Sequence, residues 1–149
     1  GIAHGGMLFP TPISFQEVSR GQLLRAALEN IAFSIKANLT TLQEVTGLRV
    51  ESMHIGGTMA RSKVLATVLA NVLGTQVKGS VVNNQVSARG AVLAAAIALG
   101  SFSNFQEATN TIDDSYQIVE PNISLSSQYQ EHYGEWCRAY HSLESLDLA

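Results

Sequence analysis

Between Ser19 and Gly100 the chain alternates long runs of helical spacing with short runs of strand spacing, and a glycine closes most of them. SRGQLLRAALENIAFSIKANLTTLQEV sets Ser19 and Gln22 as a capping box, with apolar residues at 24, 27, 28, 31, 35, 39 and 42. This predicts a long amphipathic helix ended by Gly47. LRVESMHI then alternates as a strand that runs into Gly56-Gly57. From about Met59, ARSKVLATVLANVLG has apolar positions at 64, 65, 68, 69, 72 and 73 and Gly74 as its cap, the pattern of a buried helix. TQVKG offers a short strand, VVNNQVSARG a loop and turn, and AVLAAAIALG an Ala-rich helix suited to close packing.

This order predicts an α/β layer arrangement with parallel pairing, although two or three strands are few for a sheet. Residues 101–122 read as a short helix and a polar connection containing Asp113, Asp114 and Pro121. In the tail, Tyr129, Tyr133, Trp136, Tyr140 and Leu143 recur at steps of four and three, so an aromatic stripe should clamp a last helix onto the domain. Residues 1–18, with Gly5, Gly6, Pro10 and Pro12, read as extended or looped, and no initiator methionine opens them.

With 149 residues, 46% hydrophobic and 14% charged, the chain can build one core and one compact domain. A net charge of −3 without clustered Lys or Arg gives no footprint for nucleic acid or an anionic membrane, so neither is expected as a partner. The single cysteine, Cys137, cannot form an internal disulfide, and no Cys/His set has zinc spacing. No leader-like segment or run of spanning length occurs, and the expected location is the cytoplasm. Two sequons, at Asn38 and Asn122, read as chance.

The feature with most chemical content is HIGGTMARS, His54 to Ser62. Gly56-Gly57 can serve a tight strand-to-helix turn, or it can admit a ligand to bare backbone at a helix N-terminus; the residues alone leave both open. Neither a dinucleotide fingerprint nor a P-loop is present, because no third glycine and no Gly-Lys-Ser/Thr follows. Arg61 and Ser62, expected one turn into the helix, face either that ligand or solvent. His4, His54, His132 and His141 are scattered, adjacent Asp113 and Asp114 read as a solvated loop, and Cys137 reads as packing. No Ser/His/Asp triad assembles.

RAALENIAF (Arg25–Phe33), IGGTMARSKVLATVLANVLGTQV (Ile55–Val77), QVSARGAVLAAAIALG (Gln85–Gly100) and YQEHYGEWCRAYHSL (Tyr129–Leu143) form a series. In order and spacing it resembles the C-terminal domain of the FGGY carbohydrate kinases, the family of glycerol kinase, xylulokinase and gluconokinase. The likeness runs over about residues 19 to 145. It implies an α/β fold, a partial ribonuclease-H-like (actin-like ATPase) lobe, helix-rich with few strands. Residues 1–18 would be an extended segment, 19–122 the nucleotide side of the lobe, and 123–149 an aromatic helix packed on it.

In such kinases ATP, with Mg2+, lies between two lobes and a double-glycine turn approaches the adenosine. Carried onto this sequence, Gly56, Gly57, Thr58, Ala60, Arg61 and Ser62 become the nucleotide contacts. Arg61 stands where glycerol kinases place an asparagine beside adenine, and Ser62 matches a serine of xylulokinase-like members. Gly90 and Ala91 agree with the family's Glu-Ala-Thr-Ala-Leu-Gly-Ala segment, whereas Gln85 and Arg89 depart from it, and Asn30 replaces a usual glycine after Glu29.

The family's catalytic aspartate belongs to the N-terminal lobe, and its phosphate-binding Gly-Thr loop and Gly-Gly-Ser…Trp helix have no match here. Phosphoryl transfer needs a positioned nucleophile, a base, Mg2+ and donors around the transferring group. The resemblance therefore implies a fragment of an ATP-dependent sugar or polyol kinase, with no catalytic residue of its own and no turnover alone. Its sugar substrate would be held through the N-terminal lobe. A non-catalytic binding or assembly module derived from this lobe is the alternative. An unrelated small α/β domain would instead close a complete sheet, while a truncated lobe would expose apolar surface and favour a homo-oligomer.

Overall fold

The first helix begins where its capping spacing places it. In the computed structural model, which describes residues 18–80, 86–111 and 116–144, α1 spans Arg20–Thr46. The Gln22 N–H donates to the Ser19 hydroxyl at 3.2 Å and the Ser19 N–H to the Gln22 side chain at 2.8 Å. Gly47, at φ 69°, closes the helix in the left-handed conformation. There follow β1 (Ser52–Ile55), a 3-10 turn (Thr58–Arg61), α2 (Lys63–Leu73), β2 (Gln76–Ser80), α3 (Val86–Ala98), α4 (Phe105–Asn110), β3 (Tyr116–Val119) and α5 (Ile123–Glu144).

β1 and β2 pair in parallel across the α2 crossover, Met53 opposite Val77 and Ile55 opposite Gly79. β3 adds on the far side of β2 in the antiparallel sense, Val119 opposite Val77. The expectation of parallel pairing thus holds for one ladder of two, and residues 101–122 hold a strand that the sequence did not announce. YQIV is too short to show alternation; contact with β2 decides its state. Of LRVESMHI only Ser52–Ile55 pairs, and the expected loop VVNNQVSARG gives way to helix from Val86. The expected aspartates 113 and 114 lie outside the described residues, as do Gln85 and residues 1–17.

Side chains alternate across the strands. Met53, Ile55, Val77 and Val119 belong to the core, with Val77 fully buried. Ser52, His54, Gln76, Lys78, Tyr116 and Ile118 fall on the outer face, where Ile118 is 53% exposed. Among the described helices α2 is the one that packs extensively on the sheet, while α3 packs chiefly on α4.

α2 is enclosed by α1, α5 and β2, so Leu65, Ala66, Val68, Leu69, Ala70, Asn71 and Val72 are all buried. The aromatic stripe of α5 lands as expected. Phe33 of α1 meets the Tyr129, Tyr133 and Trp136 rings at centroid distances near 6 Å, and Trp136 Nε1 donates to Asn30 Oδ1 at 2.8 Å. Lys36 lays its ammonium 4.8 Å from the Tyr133 ring and donates to the Val72 carbonyl at 2.8 Å, near the C-terminus of α2. Cations favour that end of a helix, yet burial lowers the lysine's pKa.

Two partly buried polar links join α5 to the rest. Asn71 Oδ1 accepts the Asn122 N–H at 2.8 Å, and Asn122 in turn caps α5 by accepting the Leu125 N–H at 3.1 Å. Further along, Arg25 Nη2 donates to the Tyr129 hydroxyl at 2.7 Å, which donates to Glu29 Oε1 at 2.6 Å; Arg25 Nε reaches the same carboxylate at 2.8 Å.

Replacing Asn71 by Leu strands the Asn122 N–H, and urea denaturation should show a loss of about 1–3 kcal/mol. Tyr129 gives a pH signature. Burial first, and then its bond to Glu29, push the phenol above its ordinary value. A group raised on folding contributes fully below its unfolded pKa of about 10 and loses that contribution as pH climbs through the higher folded value. Stability should therefore fall above about pH 10 more steeply in the native chain than in Tyr129→Phe, which itself costs about 1 kcal/mol at neutral pH. Denaturant melts on both sides of that pH check this.

Candidate functional site

β1 delivers Gly56-Gly57 to its carboxyl end, the edge of an α/β sheet where ligands commonly bind. Gly57 adopts φ 78°, ψ −168°, a region essentially confined to glycine. A Cβ built there meets no atom within 4 Å, so conformation rather than crowding demands the glycine. Among the described residues nothing fills the space beside Gly57.

Beyond it the Ala60 N–H donates to the Gly57 carbonyl at 3.1 Å and the Ser62 N–H to the Met59 carbonyl at 3.0 Å. These close the 3-10 turn. Ser62, extended at φ −80°, ψ 103°, then starts α2 by accepting the Leu65 N–H on its hydroxyl at 3.2 Å. This corrects the expectation of a helix from about Met59: a serine cap three residues later sets the start. Arg61 ends the turn and Ser62 is the cap, so neither is one turn into the helix. Thr58, Met59 and Arg61 are exposed, whereas the inner side of the turn rests on β2, where a Cβ on Gly79 would lie 3.5 Å from the Ala60 carbonyl.

His54, two residues before Gly56, sets its ring edge-on to Tyr116 of β3 at 5.1 Å between centroids. No partner for His54 is legible in the sequence, because the strand that brings Tyr116 is not. His132 meets Tyr129 edge-on and His141 lies 3.7 Å from Glu144, both along α5. Cys137 is a half-buried free thiol. Arg89, Gly90 and Ala91 lie in the first turns of α3. At the opposite end of the sheet an open groove of about 470 Å³ is lined by polar residues that include Glu51, Lys78 and Glu120. Among the described residues no three His, Cys, Asp or Glu side chains converge, and no helix is long and apolar enough to cross a membrane.

This arrangement, a helix crossing between parallel strands, a glycine turn at the first strand's end and a helix-rich body with a three-stranded sheet, is shared with solved FGGY sugar kinases and is part of their actin-like ATPase fold. Residues 5–99 match the model of the FGGY family of carbohydrate kinases, C-terminal domain, and the chain belongs to that family. It is 28% identical over 124 residues to a glycerol kinase of Trichodesmium erythraeum, covering 82% of this chain and 24% of that protein. It is 33% identical over 148 residues to the Bacillus subtilis protein YoaC, covering 99% of this chain and 29% of that one. The xylulose kinase structure from Rhodospirillum rubrum superposes with a TM-score of 0.68 at 27% identity, over 90% of this chain and 27% of that one. The chain thus spans about a quarter of the length of these relatives.

Because Gly57 is held by backbone conformation with free space beside it, Gly57→Ala should cost about 1–3 kcal/mol through strain alone. Thermal or urea melts measure this; an unchanged melt would show that the turn relaxes readily.

Proposed function

We propose that this chain forms the nucleotide side of a carbohydrate kinase lobe, with Gly56, Gly57, Thr58, Ala60, Arg61 and Ser62 as its adenosine contacts. The observation that carries this reading is the open space beside Gly57, at the carboxyl end of β1, in a chain of the FGGY C-terminal domain. Bare backbone at Gly56-Gly57 lets a flat heterocycle come within contact distance, and the exposed Arg61 guanidinium can stack on it or meet an anion.

ATP supplies the phosphoryl group, and in the complete enzyme the γ-phosphoryl would pass in line to a sugar or polyol hydroxyl. Mg2+, when bound in the complete enzyme, would supply neutralisation of the charge on the transferring phosphates. The turn's part is positional. The 3-10 turn, braced against β2 and followed by the Ser62 cap, fixes the backbone before ligand arrives. The base that takes the hydroxyl proton and the sugar-binding groups would come from the N-terminal lobe, and the chain alone should not turn over.

Titrating 15N-labelled chain with ATP and Mg2+ tests this. Amide shifts concentrated at residues 56–62, with no phosphorylation of glycerol, xylulose or gluconate, are expected. Shifts confined elsewhere, or none at all, would favour a non-catalytic assembly module, and sustained turnover would overturn the division of labour between lobes.

A further inference from the structure

Gly79 lies against both flanks of the glycine pair. It stands in β2 opposite Ile55, the residue that runs directly into Gly56, and a Cβ placed on it would lie 3.7 Å from the Ile55 side chain. The same Cβ would lie 3.5 Å from the carbonyl of Ala60, on the other flank. Gln117, its partner in β3, closes a third side with a carbonyl at 3.9 Å, and Gly79 is buried. Gly57 and Gly79 are small for different reasons. Gly57 has a positive φ, whereas Gly79 has none and sits in ordinary strand backbone, so there space and not conformation decides.

All three distances are ordinary van der Waals contacts, so one carbon fits. A Cγ beyond it meets a tighter place, because two of the three neighbours are backbone carbonyls. Ile55 and Gln117 are held by their ladders with β2. The turn is closed by two hydrogen bonds of its own and only rests on β2, so it is the part that yields. Ala60 also donates its N–H to the Gly57 carbonyl at 3.1 Å. A displaced Ala60 therefore carries Gly57 with it.

We propose that Gly79 is a positioning residue for the nucleotide. By bearing no branched side chain it sets the depth at which residues 56–62 seat over β2, and so where bare backbone meets the heterocycle. This rests on the reading of that turn as the nucleotide contact. Gly79 itself touches no ligand and acts through Ala60 and Ile55.

The test compares Gly79→Ala and Gly79→Val with the native chain, in 15N spectra without ligand and in titrations with ATP and Mg2+. Gly79→Ala should keep the amide positions of residues 56–62 and the ATP affinity of the native chain. Gly79→Val should move those amides before nucleotide is added, leave those of α1 and α5 in place, and weaken ATP about tenfold. Affinity is read well below the melting temperatures, where a residue serving stability alone would leave it unchanged. Gly79→Val binding ATP as the native chain does overturns the proposal, as does Gly79→Ala weakening ATP as much as Gly79→Val. If Gly79→Val does not fold, Gly79→Cys under reductant takes its place, with one sulfur beyond the Cβ; unmoved amides at 56–62 would overturn the proposal there. A native chain that shows no ATP-dependent shift would sink the nucleotide reading instead, while the ligand-free displacement of the turn still decides whether Gly79 sets it.

Discussion

Burial of α2 is the constraint on which the remaining structure depends. Leu69 and Val72 lie fully enclosed between α1, α5 and the sheet, and each such side chain contributes about 1.5–3 kcal/mol when removed from water. A helix enclosed on most sides cannot keep its polar groups in solvent, so they are answered individually. Asn71 is spent on the Asn122 N–H at the head of α5, and the Val72 carbonyl on the Lys36 ammonium. The same helix opens at Ser62, directly after the glycine turn. Packing of the core and placing of the candidate site are therefore one problem, solved by one element.

Local chemistry made much of this readable. Ser19 and Gln22 marked the start of α1, Gly47 and Gly74 its end and that of α2, and the four-and-three aromatic spacing of α5 found its partner in Phe33. The failures have a common cause. YQIV became a strand because β2 offered a free edge, and that antiparallel partner lies about forty residues away in sequence. Helix α2 begins at Lys63, behind the Ser62 cap, rather than at Met59, because the cap sets the start where the apolar pattern alone does not. At the candidate site the glycines were legible from their type alone, whereas the contact between His54 and Tyr116 was not, since it exists only once β3 is in place.

The turn is built as a fixed rather than an adaptable surface. Gly57 holds a conformation other residues avoid, the 3-10 turn closes on two backbone hydrogen bonds, and Ala60 sits over Gly79 with little space between them. Such rigidity suits a group that must be oriented before transfer, because ordering the backbone at the moment of binding would cost affinity. On the proposed reading the backbone of this turn would position the nucleotide, and the outward side chains Thr58, Met59 and Arg61 would meet its surroundings.

β1 has only four residues and a single ladder to hold it, for β2 lies on one side and no described strand on the other. Its outward-facing amides at that margin lack a neighbour in the sheet, so detachment of β1 need break only one set of interstrand bonds while α2 stays packed on α1 and α5. The strand that presents the glycine pair is thus one of the two margins of the described sheet held by a single ladder, and nucleotide seated on it would act as a clasp, lowering the rate at which that margin opens and exchanges its hydrogens with water.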